Sequence, residues 1–164
     1  MTVLSAKNNS KRPELQNYWT SGPLIQASFY TQSQSIIQIT LSLAERFSCH
    51  IFGTHYHKEI LEWMENYSKR KEGKELPLDF TKLSPFTIKG LLAIKKIPLG
   101  GCASYGEIAA LAGKEKGARA IGNVCNKNPY PLVIPCHRVI QSNGSLGGFA
   151  YPIEMKQLLL DFES

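Results

Sequence analysis

The run Asn128-Pro-Tyr-Pro-Leu-Val-Ile-Pro-Cys-His-Arg138 is where the chain declares most about itself. Pro129, Pro131 and Pro135 fix φ, remove backbone donors and forbid a helix. Leu132 to Ile134 predicts a short buried extended segment between them. It delivers Cys136 and His137 at its end, where a reactive group can meet a cleft. A thiol attacks as thiolate, and a neighbouring imidazole can take its proton. Adjacent side chains on an extended chain point to opposite sides, so contact between Cys136 and His137 needs a bend or a bridging water. Arg138 and Arg119 add positive potential that is expected to favour the thiolate.

Downstream, Val139 and Ile140 lead into Ser142-Asn-Gly144, a hairpin-type turn. Gly147-Gly-Phe149-Ala150 is a flexible, aromatic-bearing stretch suited to line a pocket. Ile153 to Phe162 predicts a final helix. Its last turn carries Asp161 and Glu163, the unfavourable end of the helix dipole for acids. An acid held there points to a partner such as His137.

Upstream, Ser84 caps a helix that has Pro85 at its first position and an apolar stripe from Phe86 to Lys96. Pro98 and Gly100-Gly101 break it. Ser104-Tyr-Gly-Glu107 is a capping-box pattern ahead of Ile108, Ala109 and Leu111. A second short helix around Gly117 to Cys125 is built on Ala118, Ala120 and Gly122, whose small size permits close approach of backbone or DNA. Two short helices joined by a tight turn read as a helix-turn-helix, or as a plain helical hairpin inside a core.

The first half reads as a small mixed lobe. Ile25, Ala27 and Phe29 alternate, as do Ile37, Ile39, Leu41 and Leu43, with Thr31 to Ser35 as the turn. His57 to Lys71 predicts an amphipathic helix with Ile60, Leu61, Met64 and Tyr67 on one face. Charged, Gly-containing Lys69 to Glu75 is a linker, and the expected boundary lies near residue 80. Residues 1–12 are polar and basic without a signal-peptide core, and read as a disordered basic tail.

Composition narrows the class. At 164 residues with 43% hydrophobic and 20% charged, the chain is an ordinary globular protein. No apolar run approaches the roughly 20 residues that cross a bilayer, so neither membrane nor secretion is expected and a cytoplasmic monomer is. Cys49, Cys102, Cys125 and Cys136 form no C-x-x-C pair and match no zinc spacing, so free thiols are expected. His50, His55 and His57 near Cys49 read as surface histidines rather than as a metal site. The net charge of +6 is one-sided. Lys82 to Pro152 holds nine basic residues and two acidic ones, which is what a phosphate-backbone partner demands.

Taken together, Ile134-Pro-Cys-His-Arg-Val-Ile140, Ser104-Tyr-Gly, Gly117-Ala-Arg-Ala-Ile-Gly122 and Asn128-Pro129 resemble the O6-alkylguanine-DNA alkyltransferases in order and spacing. The resemblance covers about residues 84 to 163; the first half matches only in general character. It implies an α/β (α+β) protein. A ribonuclease H-like N-terminal α/β lobe would span residues 13–80. A mainly helical, winged helix-turn-helix-like DNA-binding and alkyl-transfer domain would span residues 81–164. The implied activity is direct-reversal repair of double-stranded DNA containing alkylated bases. O6-alkylguanine is the substrate, O4-alkylthymine a further candidate, and one irreversible turnover needs no metal or organic cofactor.

The resemblance also implies roles. Cys136 is the alkyl acceptor, His137 the base acting through a water, and Glu163 the group that polarises His137. Asn128 braces the turn. Tyr105 rotates the nucleotide by crowding its phosphate and gives the departing base a proton. Arg119 fills the gap left by the flipped base. Ala118, Gly122 and Arg138 join Tyr105 and Arg119 on the DNA, in the minor groove. Val139, Phe149, Ala150 and Tyr151 line the pocket, with the Cys136 carbonyl and the Ala150 amide on the guanine. Two departures stand out. Tyr151-Pro152 replaces a Gly-Gly pair common in the family, and Phe149 takes a position often held by tyrosine.

Three other classes remain open on the residues. A damage-flagging binding protein of the same build lacks the cysteine, whereas Cys136 is present. A helix-turn-helix alkylation sensor would carry further DNA-binding or activation segments. A cysteine hydrolase would turn over and would need an oxyanion hole.

Overall fold

A computed structural model describes residues 12–164; apart from Arg12, the expected basic tail lies outside the described residues. Strands β1 (Leu15–Trp19), β2 (Ile25–Gln32), β3 (Ser35–Leu43) and β4 (Phe47–Phe52) form one sheet in the order β1-β4-β2-β3. β2 pairs antiparallel with β3 and parallel with β4, and β1 pairs antiparallel with β4. The expected hairpin is there, but its turn is tighter than Thr31 to Ser35. The strands reach Gln32 and Ser35, and Ser33 takes φ 50°. β1 and β4 are additions to the sequence reading. β4 does alternate, with Phe47, Cys49 and Ile51 buried, so Cys49 is a core residue.

Helix α1 (His57–Ser68) packs Ile60, Trp63, Met64 and Tyr67 into the core. It stops three residues before the expected Lys71, because Arg70 swings to φ 54° and Lys71 N–H turns back onto the Asn66 carbonyl. Leu61 is only half-buried; Trp63 takes its place in the stripe. The main chain after α1 does not behave as a free linker. Leu76 is buried, and residues 77–79 run along the outer edge of β3. There the Ile36 N–H donates to the Pro77 carbonyl and the Asp79 N–H to the Ile36 carbonyl. Further along the same edge, Ile39 N–H donates to the Pro129 carbonyl at 2.8 Å and Leu41 N–H to the Tyr151 hydroxyl at 3.4 Å. An exposed strand edge is a template for aggregation. Here the second half of the chain covers it, and one continuous buried cluster runs through both halves.

The helical part follows its capping signals. Helix α2 (Pro85–Lys95) is capped by Ser84, whose hydroxyl accepts from Thr87 N–H. Gly90 on α2 faces Val124, where an added Cβ would sit 3.1 Å from a methyl carbon. After β5 (Ala103–Ser104), helix α3 (Tyr105–Leu111) starts on a complete capping box between Ser104 and Glu107. Helix α4 (Ala118–Asn126) packs against α3, and β6 (Val139–Ile140) pairs parallel with β5. Helix α5 (Ile153–Glu163) closes the described chain. None of these helices is long and apolar enough to cross a membrane.

One local expectation fails and another holds. Leu132 to Ile134 is buried but not extended: the segment is a turn with Leu132 at φ 73°. Three prolines within seven residues bend the chain rather than straighten it. Ser142 to Gly144 makes the expected hairpin-type turn: Gly144 takes φ 86°, its N–H donates to the Gln141 carbonyl and the Gln141 N–H donates to the Ser145 carbonyl, both at 2.9 Å, although no second strand follows.

Candidate active site

The turn that carries Cys136 is built around Asn128. Its amide nitrogen donates to the Ile134 carbonyl and its amide oxygen accepts from Tyr130 N–H, both at 2.9 Å and buried. One side chain thus ties together both ends of a segment that cannot form a ladder. Pro135 (φ −81°, ψ 66°) then makes an inverse γ-turn, with Cys136 N–H on the Ile134 carbonyl at 2.8 Å. Cys136 to Arg138 form one 3-10 turn before the chain enters β6. This is the bend that an extended chain would have lacked. Successive residues of a 3-10 turn sit about 120° apart around its axis, not the 180° of a strand.

His137 is fully buried, and its Nε2 lies 2.6 Å from Glu163 Oε1. Glu163 also accepts from Arg138, through Nε at 2.8 Å and a terminal nitrogen at 3.1 Å, and from the Tyr67 hydroxyl at 2.7 Å. Burial pushes this carboxyl up, but the His137 and Arg138 bonds and charges outweigh it and hold the group down at about 2. An ionised Glu163 fixes the proton of His137 on Nε2. Nδ1 is then a lone-pair acceptor, and it has no hydrogen-bond partner among the described residues. Burial lowers the imidazole below its ordinary value, with Glu163 opposing, so the ring is neutral at pH 7.

The Cys136 thiol is buried as well, and burial raises its pKa. Opposing that are a hydrogen bond from Asn128, the charge of Lys156 and the local backbone N–H groups. The cation beside the thiol is therefore Lys156, not Arg138 or Arg119 as the sequence suggested. Lys156 is completely buried on α5. Its ammonium donates to the Val139 carbonyl at 2.6 Å and the Gly148 carbonyl at 3.2 Å.

Arg138 needs a second correction. It was expected on the DNA face, yet it is buried, with its guanidinium spent on Glu163 and on the Ile97 carbonyl at 2.7 Å. The remaining residues expected there do converge. Tyr105, Ala118, Arg119 and Gly122 line one open cleft of about 280 Å³ with Asn126, Gln141 and Gly148. Arg119 and Ala118 are exposed at its rim. Tyr105 is half-buried, and its hydroxyl donates to the Gly148 carbonyl at 3.1 Å. Burial, with the nearby Cys125 and Cys136, pushes it up to about 12, so it keeps its proton. Val139 is buried, Phe149 is half-buried and Ala150 is exposed. Tyr151 packs its ring 5.8 Å from that of Phe149 and ends on Leu41 N–H of the β3 edge.

Sequence reasoning missed Lys156 and Tyr67. The signal for Lys156 was a lone cation beside Met155 in the apolar stripe of a helix. Tyr67 gave none, since it reaches Glu163 from 96 residues away.

The site thus combines a buried thiol on the Cys136 turn, a buried His137–Glu163 pair and an open cleft on α3 and α4 with Arg119 at its rim. The family model described as "6-O-methylguanine DNA methyltransferase, DNA binding domain" matches residues 85–164. A Methanosarcina mazei protein named "Methylated-DNA--protein-cysteine methyltransferase" is 44% identical over 112 residues, which are 66% of this chain and 68% of that protein. A mimivirus protein named as a probable one is 38% identical over 107 residues, covering 65% and 71%. The chain belongs to the methylated-DNA–protein-cysteine methyltransferase family. Other curated relatives are matched over about half their length: the Methanosarcina acetivorans protein is 46% identical over 71 residues, 46% of its chain. Among solved structures, Mycobacterium tuberculosis OGT in complex with DNA is 25% identical with a TM-score of 0.68, covering 84% of this chain and 92% of that one. The enzyme from Pyrococcus kodakaraensis, at 19% identity and TM-score 0.60, shares the mixed α/β fold.

Proposed function

We propose that this chain repairs alkylated DNA by moving the alkyl group from O6 of a guanine to Cys136 Sγ, once per molecule. The observation that carries this reading is the buried line from Glu163 through His137 to a free Nδ1, on the turn that bears the thiol. Nδ1 takes the Cys136 proton through a water, and Glu163 stabilises the imidazolium that forms. The thiolate attacks the alkyl carbon in line. The S–C bond forms as the C–O6 bond breaks, and the electron pair leaves on the guanine oxygen. Tyr105, still protonated, gives the departing base a proton and is reprotonated from the imidazolium side. The net change is one thiol proton passed to the released guanine. A thioether has no easy route back, so there is no turnover.

A buried thiol cannot reach O6 inside a duplex, so the base must leave the stack. Tyr105 crowds the phosphate, and Arg119, exposed on α4, fills the space the base leaves. Ala118 and Gly122 present a small-residue surface that lets α4 enter a minor groove. Asn128 holds the turn. Val139, Phe149, Ala150 and Tyr151 form the wall around the extruded base. The basic second half supplies phosphate attraction. Residues 13–80 and 81–164 act as two functional parts around the shared core. O4-alkylthymine is the further substrate to test beside O6-alkylguanine, and a monomer is the expected working form.

The test is single-turnover transfer from a duplex containing labelled O6-methylguanine. Transfer of label to a peptide containing Cys136 supports the proposal. Lesion-selective binding without transfer would replace it with a damage-flagging protein, and repeated turnover with a hydrolase.

A further inference from the structure

We infer that Tyr67, on α1 of the first half, is a positioning residue for the active site, tempering the hold of Glu163 on His137 through the hydrogen bond to the oxygen they share. The inference rests on the function proposed above and deepens it. It assigns a task to a helix that comes from outside the part matched by the family model.

Three donors meet on Glu163 Oε1: Tyr67 Oη at 2.7 Å, His137 Nε2 at 2.6 Å and a terminal nitrogen of Arg138 at 3.1 Å. Among the described residues, Oε2 takes the Arg138 Nε alone. A carboxylate oxygen that shares its electron density among three donors pulls less on each. The Tyr67 hydroxyl therefore weakens the grip of Glu163 on the His137 proton, which keeps Nδ1 a base of moderate strength. The geometry is fixed, not incidental. Trp63 stacks on the Tyr67 ring at 5.5 Å and 8°, and Phe47 and Phe162 flank it at 5.7 and 5.4 Å. An aromatic ring in that cage would fill the space equally well without the oxygen. Burial and the neighbouring carboxylate hold the phenol well above its ordinary range, so it is always the donor.

The charged and titratable neighbours come from several elements, and Lys71, Glu72 and Glu75 after α1 and Lys95 on α2 line one cavity with Tyr67 and Arg138. α1 supplies Tyr67, and just beyond it Arg70 donates to the Phe162 carbonyl at 2.6 Å. The 3-10 turn supplies Cys136 and Arg138, and α5 supplies Lys156 and Glu163. Arg138 and Lys156 both act to lower His137, and Glu163 alone among these raises it. Removing one donor from Glu163 therefore makes the imidazole more basic. It would then stay protonated, and useless as a base, to a higher pH.

The experiment follows the single-turnover rate constant across pH for the wild-type chain, for Tyr67→Phe, and for a chain with 3,5-difluorotyrosine, a stronger donor, at position 67. Reaction amplitude reports the folded fraction and the rate constant reports the chemistry. Tyr67→Phe should move the acid limb toward higher pH while matching wild type at high pH. A displacement of about half a pH unit slows transfer about threefold below the midpoint. The fluorinated chain should move the limb toward lower pH. If Tyr67→Phe does not fold, the fluorinated chain decides. An acid limb at the wild-type position in the folded variants, whatever their stability, overturns the inference. The His137 ring is also titrated by NMR in the same proteins, identified by its loss in His137→Asn. Should the wild-type chain transfer no methyl group, the function proposed above fails on its own, and the His137 titration still decides the role of Tyr67.

Discussion

His137 Nε2 and Glu163 Oε1 lie 2.6 Å apart, and both side chains are 1% exposed. The two are 26 residues apart in sequence and meet because α5 runs back under the Cys136 turn. A helix C-terminus disfavours an acid, yet Arg138 and Tyr67 supply the charge and the hydrogen bonds that hold one there.

Breaking this network from the acid side is the first prediction. Glu163→Gln leaves Arg138 buried without a counter-charge and His137 without its orienting carboxylate. A loss of roughly 3–5 kcal/mol in stability is expected from an uncompensated buried charge. Urea unfolding measures it, and the fraction that remains folded should transfer at least about a hundredfold more slowly. A stable, fully active Glu163→Gln would contradict the assigned role.

Acid should unfold the protein in two stages. The folded pKa of His137 is depressed, so its contribution is present above the unfolded value of about 6.5 and is lost as pH falls below it. Glu163 is depressed to about 2, so its contribution is present above the unfolded carboxyl value and is lost as pH falls from there toward 2. The Glu163 share is about 3 kcal/mol. Denaturation midpoints measured from pH 8 to 3 check this, and His137→Asn should remove the upper stage and shrink the lower one, because His137 supplies part of what holds Glu163 down.

Asn128→Ala tests the brace. It deletes both amide bonds and leaves a buried carbonyl and N–H unpaired, for a cost of about 2–4 kcal/mol. It should slow transfer even in folded protein, because the thiol also loses its hydrogen bond from Asn128. Iodoacetamide labelling of Cys136 reports the thiol separately from DNA binding. A labelling rate and profile identical to wild type would rule out the second effect.

Arg119→Ala separates extrusion from chemistry. Arg119 is exposed at the cleft rim, whereas His137 and Glu163 are buried. Transfer from duplex O6-methylguanine should fall by about tenfold or more, since extrusion is a matter of a few kcal/mol. Transfer from the free modified base should stay at the wild-type rate. Equal losses on both substrates would remove Arg119 from the extrusion step.

Much of the fold and the site is legible in the sequence. Ser84, Pro85 and the Ser104-Glu107 box mark the helix starts because caps are local chemistry. Alternation reveals β2 and β3. β1 stays hidden because it is an edge strand with three successive exposed residues, and so has no alternation to detect. The turn at Leu132 is misread because an apolar run between prolines does not distinguish a buried strand from a buried turn. Arg138 is misplaced for a related reason. A basic residue beside a reactive pair looks like a phosphate contact until its buried partner, 25 residues later, is seen. Tyr67 is out of reach because no short-range pattern links α1 to the end of α5.

Whether Cys136 is the alkyl acceptor is tested most directly by intact-protein mass after incubation with duplex O6-methylguanine. The expected result is a gain of one methylene mass per molecule, stoichiometric and complete, absent in Cys136→Ala and mapping to the peptide that carries Cys136. An unchanged mass in protein that binds the lesion, or a gain that persists in Cys136→Ala, would contradict it.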